Sequence, residues 1–344
     1  MMRAIGINRH GGADVLQNLK IPDPVPGKNE VTVRIACASI NAADIMMREG
    51  KQGFAVSMPH ILGSDAAGNI EKIGGDVEGY AVGDKVLVNT LDSCGKCDKC
   101  KRGDRVSCAS WRTLGLHTDG TYAEYVKVPA HALIKPPDYF SVEELACMPI
   151  SLAIAWRSLI TLGKGKKGET VVVRAASGNS GIFIVLLAKA LGLNVVALSR
   201  GGKKIARLKG IGADHVVDPT SGINELAGKI SEITGGLGAD IVTDAMGSTL
   251  NDSITLARHS GRIISFGMLT GNESNINIVN LYRKGVAVFG AHNENTEALK
   301  EAVEFFAMKK IKPVICKELK LEDAKEGQRL LESGESFGKI LLKP

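Results

Sequence analysis

The sequence predicts an α/β protein built from a β-rich domain followed by a doubly wound parallel sheet. Three observations support this prediction. The chain has 344 residues, which is long for one domain and suggests two. Short strand-like segments without a helical pattern fill most of residues 1–90. From Glu169 onward, apolar strand-like runs alternate with helical segments, as in a parallel sheet with helices on both faces.

The amino-terminal domain is expected to form a small β-barrel, because apolar and polar residues alternate along its segments. These strand-like segments are Glu30–Ile40, Asn69–Ile73, Lys85–Val88 and Tyr122–Val128. Ser141, with Glu144 three residues later, has the spacing of a capping box and predicts the start of a helix. A second helix, over Pro149–Leu162, is expected to lead into the parallel-sheet domain.

Four cysteines interrupt the β domain within fifteen residues. They follow the spacing C-x2-C-x2-C-x7-C and are Cys94, Cys97, Cys100 and Cys108. Four thiolates at this spacing can enclose a tetrahedral Zn²⁺, and such a closed site is structural because no position remains for substrate. An iron–sulfur cluster is the alternative, but the bacterial ferredoxin motif has a shorter last gap and a proline where this chain has Ala109. We therefore expect one structural zinc per chain.

The second domain is organised around a glycine turn within Val171–Arg200. A β-branched run enters the turn, an apolar helix leaves it and a second β-branched run follows, which is a β-α-β unit. Backbone N–H groups of such a turn bind phosphate at the helix amino terminus. The strict pattern is G-x-G-x-x-G, and Ala176 stands at its first glycine. The residues predicted to bind a dinucleotide here are Ser177, Gly178, Asn179, Ser180 and Gly181.

The end of the second strand in this unit predicts NADP(H) as the cofactor. An NAD site usually has a carboxylate at this position for the ribose 2′-OH. This chain has Ser199 and Arg200 instead, followed by Lys203 and Lys204. No carboxylate repels a 2′-phosphate, and the cations can pair with it. The alternative interpretation is a solvated turn before the next helix.

Further strand-like runs extend the parallel sheet, and the end of the chain returns to the first domain. The predicted strands are Val171–Arg174, Val195–Ser199, His215–Asp218, Ile241–Ala245, Arg262–Phe266 and Val286–Gly290. Thr296–Lys309 is an amphipathic helix, and Leu319–Pro344 is expected to rejoin the first domain. The predicted boundaries are 1–150 for the β domain, which includes the cysteine lobe at 92–110, and 151–292 for the parallel-sheet domain. Residues 293–344 are the segment expected to rejoin the first domain.

The composition excludes several functional classes. Apolar residues make up 44% of the chain and charged residues 23%, as in ordinary globular proteins. No apolar run approaches the roughly 20 residues of a membrane span, and the amino terminus has no signal-peptide pattern. We therefore expect a cytoplasmic protein without a membrane partner. The net charge of +6 is spread along the chain without interleaved aromatics, which favours small anionic ligands over nucleic acid.

Together these segments resemble the medium-chain dehydrogenase/reductase superfamily, the group of zinc alcohol dehydrogenases and quinone oxidoreductases. The resemblance extends over essentially the whole chain. Its most specific segments are HILGSDAAGNIEKIGGDVEGYAVGDKV, the cysteine lobe, AASGNSG, GADIVTDAMG and SFGKILLKP. It implies a GroES-like β-barrel domain and a Rossmann domain, with the active site in the cleft between them. It also implies a homo-oligomer, a dimer or a tetramer.

The chain departs from the zinc alcohol dehydrogenases where the resemblance implies the catalytic zinc. Asn41 stands at the position of the cysteine ligand, Ser64 at that of the histidine, and Ile150 or a neighbour at that of the third ligand. A catalytic zinc takes three protein ligands and keeps one open position, so the expected set is missing. An unusual metal site could be formed instead by Cys37, Asp44, His60 and Asp65.

The segment from Asn41 to Asp44 resembles the zinc-free branch, which implies NADPH-dependent reduction of quinones or α,β-unsaturated carbonyls. Hydride transfer to such acceptors leaves negative charge on an oxygen, where hydrogen-bond donors can stabilise it without a metal. Asn41 is the candidate donor, and Asp44 has a structural or hydrogen-bonding role. Asn41 could alternatively be a polar loop residue. The competing functions are an alcohol or aldehyde dehydrogenase with an altered metal site and a cofactor-binding protein without catalysis.

The remaining predictions concern the cofactor's reactive end and the subunit contact. Phe266, Gly267 and Met268 end a strand and are expected to line the nicotinamide. Lys339 is either a cofactor or cleft contact or an exposed strand residue, and Arg48 is a candidate for a positive charge near the cleft. The edge strand near Val286–His292 could pair with a second copy of the chain.

Overall fold

The structure is a computed structural model that describes all 344 residues. Its strands are β1 (Met2–Ile7), β2 (Gln17–Ile21), β3 (Glu30–Ser39), β4 (His60–Ile61), β5 (Asp65–Ile73), β6 (Lys85–Val88), β7 (Leu91–Asp92), β8 (Arg112–Thr113), β9 (Tyr125–Pro129), β10 (Leu133–Ile134), β11 (Thr170–Val173), β12 (Asn194–Leu198), β13 (His215–Val217), β14 (Ala239–Asp244), β15 (Ala257–Ser265), β16 (Ala287–Gly290), β17 (Ile315–Lys320) and β18 (Lys339–Lys343).

The α-helices are α1 (Ala42–Glu49), α2 (Asp98–Lys101), α3 (Val142–Ala146), α4 (Pro149–Trp156), α5 (Asn179–Ala190), α6 (Gly202–Gly210), α7 (Ile223–Ile233), α8 (Leu250–Leu256), α9 (Ile278–Lys284), α10 (Thr296–Met308) and α11 (Ala324–Glu332). The predicted helix over Pro149–Leu162 is only partly α-helical, because Arg157–Thr161 continues α4 as a π-helical turn. No helix is both long and apolar enough to span a membrane.

The chain forms two compact units. The first unit comprises Met1–Ala153 and Asn293–Pro344, and the second comprises Ile154–His292. The predicted capping box at Ser141 begins α3, where the Ser141 hydroxyl accepts from the Glu144 N–H and the Glu144 carboxylate accepts from the Ser141 N–H.

The first unit is built on a mostly antiparallel sheet in which β18, from the end of the chain, lies antiparallel to β3 and parallel to β17. The order is β10-β6-β5-β3-β18-β17, and β9 also pairs with β3. In the register of this sheet, Ser39 pairs with both Asp65 of β5 and Leu341 of β18. The apolar face of the sheet packs into a core with β1 and α11, and Val31, Val33 and Ile340 are fully buried there. The register brings three chain-distant segments together at one end of β3.

The second unit contains a six-stranded parallel sheet in the order β13-β12-β11-β14-β15-β16. All six strands were predicted, and they differ from the predicted ranges mainly at their ends. β15 is the exception. It begins at Ala257 rather than at Arg262, and its register with β14 shifts between these two residues. The strand order reverses between β11 and β14, which is the switch point where open α/β sheets bind ligands at their carboxyl ends.

Candidate active site

The carboxylate of Asp65 is the centre of a buried hydrogen-bond network in the first unit. Its Oδ2 atom accepts from the Ser39 hydroxyl at 2.9 Å, the Asn41 amide at 2.8 Å and the Lys339 ammonium at 2.8 Å. Its Oδ1 atom accepts from the backbone N–H of Ile150 at 2.9 Å. Both oxygens therefore accept from protein donors, and Lys339 supplies the balancing charge.

The side chain of Asn41 is held in one orientation by charged partners on both sides. Its Oδ1 atom accepts from Lys339 Nζ at 2.7 Å, and its Nδ2 atom donates to Asp65. An ammonium has no acceptor and a carboxylate has no donor, so the amide cannot be reversed. Nδ2 carries two hydrogens, and the bond to Asp65 uses one of them. Lys339 is fully buried, so the interpretation of this residue as an exposed strand position is wrong.

Asp44 lies one turn into α1 and accepts three hydrogen bonds. The donors are the backbone N–H of Asn41 at 2.8 Å, the Tyr122 hydroxyl at 2.9 Å and the Ser64 hydroxyl at 3.1 Å. Full burial raises the pKa of Asp44 to about 7, and the donors only partly offset this effect. Asp44 therefore fixes the segment that carries Asn41 and joins it to Ser64 and Tyr122.

Arg48 does not provide a free positive charge. Its side chain is completely buried in the first unit and donates from Nε to the carbonyl of Gly11 at 3.0 Å. Its other nitrogens donate to Gln328 at 2.7 Å and to Glu332 at 2.5 Å. The expected role of Arg48 as a cleft cation is therefore replaced by a structural one, which ties α1 to α11.

The residues proposed for an unusual metal site do not assemble into one. Among the 344 described residues, the only group of three or more metal-binding side chains within reach of one another is the cysteine lobe. Nε2 of His60, in β4, is hydrogen-bonded to the Gly115 carbonyl at 2.7 Å. Burial raises the pKa of the Cys37 thiol to about 12, and Asp65 is saturated by its own partners. The side chains at this place do not fit a catalytic zinc.

The four lobe cysteines do fit a metal. Their sulfurs lie within 4.8 Å of one another, and four of the separations are 3.5, 3.5, 3.9 and 3.9 Å. A tetrahedron with zinc–sulfur bonds of about 2.3 Å has edges of about 3.8 Å. Backbone N–H groups of Lys96 and Cys97 lower the pKa of Cys94 to about 6, which favours the thiolate. Cys94, Cys97, Cys100 and Cys108 could therefore hold one zinc at a closed site.

The glycine turn of the second unit has the geometry of a phosphate-binding loop. Gly178 is the N-cap of α5, and its N–H donates to the Ala175 carbonyl at 2.9 Å. A Cβ atom on Gly181 would lie 2.3 Å from that carbonyl oxygen, so only glycine permits this approach of helix to strand. The left-handed residue of the turn is Ala175, with φ of 52°, one position before Ala176. Ser177 lies in the turn, and Asn179 and Ser180 are the first two residues of α5.

The tip of β12 joins the glycine turn through a pair of serines. The Ser199 hydroxyl donates to the Ser177 hydroxyl at 3.2 Å, and Arg200 follows as an exposed cation. Lys204 lies in the first turn of α6. Our sequence reasoning overlooked Asp218, at the end of β13, whose pKa is lowered by hydrogen bonds from Thr220 and also by the charge of Arg200. Its position after a parallel strand was the signal that could have identified it.

The predicted nicotinamide-lining residues follow β15 and pack on the end of β14. The Phe266 N–H donates to the Asp244 carbonyl at 2.9 Å. A Cβ atom on Gly267 would lie 2.7 Å from the Ala245 carbonyl, and Met268 follows as a partly buried residue. The sequence reasoning missed the buried Asp244 side chain, which accepts from the backbone of Met246 at 2.7 Å and fixes the neighbouring turn.

Comparisons with known proteins agree with this architecture. Residues 27–138 match the alcohol dehydrogenase GroES-like domain family, and residues 181–308 match the zinc-binding dehydrogenase family. Acryloyl-coenzyme A reductase from Sulfurisphaera tokodaii is 30% identical over 327 residues, which cover 94% of this chain and 95% of that protein.

Two solved structures are also similar over nearly the whole chain. An NAD-dependent alcohol dehydrogenase has a TM-score of 0.92 and 34% identity, with all of both chains covered. A crotonyl-CoA carboxylase/reductase has a TM-score of 0.92 and 25% identity, covering 99% of this chain and 88% of the other. The predicted combination of a GroES-like domain and a Rossmann domain is confirmed. The chain belongs to the medium-chain dehydrogenase/reductase superfamily of oxidoreductases.

Proposed function

We propose that this protein transfers hydride from NADPH to an α,β-unsaturated carbonyl compound or a quinone without a catalytic zinc. The observation that carries the proposal is the network of Asp65, Asn41 and Lys339. In zinc alcohol dehydrogenases, to which this chain is similar, this part of the sequence is expected to supply metal ligands. Here the same part of the fold contains an internally balanced ion pair, and a Zn²⁺ ion would be repelled by the Lys339 ammonium.

The chemistry of the acceptor follows from this network. Oxidation of a simple alcohol needs a Lewis acid that stabilises the alkoxide, and the residues near Asn41 do not supply one. Reduction of a conjugated acceptor delivers hydride to the β-carbon while the electron pair moves to the carbonyl oxygen. The free N–H of Asn41 can stabilise that enolate oxygen, and water can then protonate the α-carbon. Asp44 keeps the Asn41 backbone in place through its 2.8 Å hydrogen bond.

The relatives support a conjugated acceptor. Acryloyl-coenzyme A reductase and crotonyl-CoA carboxylase/reductase are both named for acyl groups with a carbon–carbon double bond beside the thioester carbonyl. Because the chain is also similar to an NAD-dependent alcohol dehydrogenase, alcohol oxidation is the second candidate function. The buried Asp65–Lys339 pair favours the reductase over the alcohol dehydrogenase, because it lies where the zinc-ligand positions are expected and bonds to Asn41 and to the backbone of Ile150, neither of which is a zinc ligand.

The residues of the second unit favour NADP(H) as the hydride carrier. The glycine turn from Ser177 to Gly181 would hold the pyrophosphate at the start of α5. Ser199 and the exposed cation Arg200 would bind the 2′-phosphate, together with Lys204. When bound, NADPH supplies the hydride. The loop of Phe266, Gly267 and Met268 would orient its reactive ring. The cysteine lobe would hold a zinc whose role is structural and not catalytic.

We also propose that the chain forms a homodimer through the second unit. β16 is the outer strand of the parallel sheet and pairs with β15 alone. Val288 in this strand is 40% exposed, and Ile278 and Tyr282 of α9 expose 62% and 63%. An exposed strand edge with apolar residues beside it is a surface on which a second copy of the chain can pair. Light scattering at micromolar concentration tests the proposal, and a monomer would refute it.

The function is tested by metal analysis together with two activity screens. We expect about one zinc per chain, NADPH oxidation with enones, quinones or crotonyl-CoA, and no reduction of NADP⁺ by alcohols. The Asn41→Ala variant should lose about 10²-fold in kcat, the typical cost of one oxyanion donor. Asn69→Ala, an exposed strand position, is the matched control and should retain activity. Two zinc ions per chain together with alcohol oxidation would favour the second candidate, the alcohol dehydrogenase. If none of these substrates reacts, the protein is a cofactor-binding protein without catalysis.

A further inference from the structure

We propose that Lys339 is a positioning residue that strengthens the hydrogen bond donated by Asn41 to the substrate oxygen. The inference rests on the proposed function, because it concerns the same donor. Lys339 begins β18, and its Nζ lies 2.7 Å from Asn41 Oδ1 and 2.8 Å from Asp65 Oδ2. It acts on the reaction through Asn41 and does not touch the substrate.

The burial of Lys339 argues against a purely stabilising role. Lys339 and Asp65 are both 0% exposed, and their charges are 2.8 Å apart. Removing two charges from water costs free energy that their attraction barely recovers, and well-packed apolar residues are commonly at least as stable. A buried ion pair of this kind therefore needs another explanation. The explanation we infer is that both charges contact the same amide, that of Asn41.

The two charges orient and polarise the amide. The Lys339 ammonium on Oδ1 draws electron density away from Nδ2, which makes the N–H groups better donors. The Asp65 carboxylate engages one of these N–H groups and leaves the other free. Asn41 is 4% exposed while both charged partners are 0% exposed, so Asn41 is the one member of these three residues with any exposed surface. The substrate therefore meets a polarised donor without meeting the charges.

The arrangement also prevents the amide from presenting its oxygen. Rotation of Asn41 about its last side-chain bond would direct the amide nitrogen at the ammonium and the oxygen at the carboxylate. Both contacts would be repulsive inside a site of low dielectric constant. A carbonyl substrate consequently finds a donor rather than an acceptor. This fixed orientation is the preorganisation that stabilises a developing oxyanion without rearrangement during the reaction.

The test removes the charges as a pair, because removal of either alone would leave a buried unpaired charge. The variant Lys339→Met/Asp65→Asn keeps the shape of position 65. Its amide oxygen can still accept from the Ile150 N–H, and its NH2 group can donate to the Ser39 hydroxyl, which turns to accept, but it no longer holds Asn41 in one orientation. The variant Lys339→Gln/Asp65→Asn also keeps a neutral donor at position 339 and serves as the second form if the first does not fold. Circular dichroism and urea unfolding report whether each variant is intact, NADPH affinity is measured separately, and Asn41→Ala is measured in parallel.

We expect the Lys339→Met/Asp65→Asn variant to lose about 10- to 100-fold in kcat, less than the full loss of an oxyanion donor. Its KM for 2-cyclohexenone should change less than about threefold, since the interaction strengthens mainly in the transition state. Addition of Asn41→Ala should lower kcat no further than the level of Asn41→Ala alone, because both changes act on one hydrogen bond. The carbonyl stretch of bound 2-cyclohexenone should shift less in the variant than in the wild type.

Three results would overturn the proposal. If Asn41→Ala lowers kcat but the charge-free variants retain it, Lys339 has no influence and the proposed function still stands. If Asn41→Ala retains full kcat, Asn41 is not the donor and both the inference and that part of the proposed function fail. If the charge-free variants weaken NADPH binding while the carbonyl stretch keeps its wild-type shift, Lys339 acts on the cofactor instead.

Discussion

Replacement of Asp44 by asparagine should remove a large part of the pH dependence of stability in the first unit. Asp44 is completely buried, and its three partners are all donors. Asparagine has the same shape. Its oxygen can accept from the Asn41 N–H and the Tyr122 hydroxyl, and its amide can donate to the Ser64 hydroxyl, which turns to accept. The variant is therefore expected to fold.

The magnitude follows from the raised pKa. Burial raises the pKa of Asp44 from an ordinary 3.8 to about 7. As the pH rises from about 4 to 7, the carboxyl group ionises in the unfolded chain but stays protonated in the folded one. The free energy of unfolding therefore falls by about 1.4 kcal/mol per pH unit, or about 4 kcal/mol in total. Above pH 7 both forms are ionised and the effect is constant. An asparagine does not titrate, so the free energy of unfolding of Asp44→Asn does not fall in this way as the pH rises.

The assay is urea unfolding of the wild type and Asp44→Asn between pH 5 and pH 8. The chain has two tryptophans, and Trp156→Phe leaves Trp111 as a fluorescent probe of the first unit. Between pH 5 and pH 7 the variant should gain about 2 kcal/mol relative to the wild type. Asp84→Asn is the control, because Lys135 lowers the pKa of that carboxyl and it is ionised in both the folded and the unfolded chain throughout this range; its profile should run parallel to that of the wild type. Parallel pH profiles for the wild type and Asp44→Asn would refute the reasoning.

Three further predictions concern the metal lobe and the cofactor site. Cys100→Ser should reduce bound zinc from about one ion per chain to nearly none by elemental analysis, whereas Cys316→Ser should keep it; equal zinc in both would contradict the lobe assignment. Gly181→Ala should raise the Kd for NADPH at least about tenfold in a fluorescence titration, because its Cβ would lie 2.3 Å from the Ala175 carbonyl. Arg200→Ala should weaken NADPH binding by roughly 10- to 100-fold and leave NADH binding unchanged, because only NADPH carries the 2′-phosphate; equal losses for both would refute NADP preference.

The second unit was largely predictable because its signals are local. Each strand is an apolar run next to a turn, and the glycine turn lies between two such runs. The strand ends were less predictable, since tertiary pairing extends or shortens them. The left-handed residue at Ala175 was also missed, because the pattern G-x-G-x-x-G indicates spacing and does not specify backbone angles.

The candidate site in the first unit was predictable only in part. The segment from Asn41 to Asp44 could be identified by resemblance. The partners of Asn41 could not, because Lys339 is 298 residues away in the chain. They meet only because β18 pairs with β3 beside β5, and strand pairing over such distances leaves no local pattern. The raised pKa of Asp44 likewise depends on complete burial, which a short polar segment does not indicate.

The central claim, hydride transfer to a conjugated carbon without a catalytic metal, is tested most directly by the position of the transferred hydrogen. The protein is given cinnamaldehyde, which offers both a carbon–carbon double bond and a carbonyl, together with NADPH deuterated at both C4 positions. Nuclear magnetic resonance then locates the deuterium in the product. We predict 3-phenylpropanal with deuterium on the β-carbon. Cinnamyl alcohol with deuterium on the former carbonyl carbon would contradict the account, because that product requires the alcohol dehydrogenase reaction.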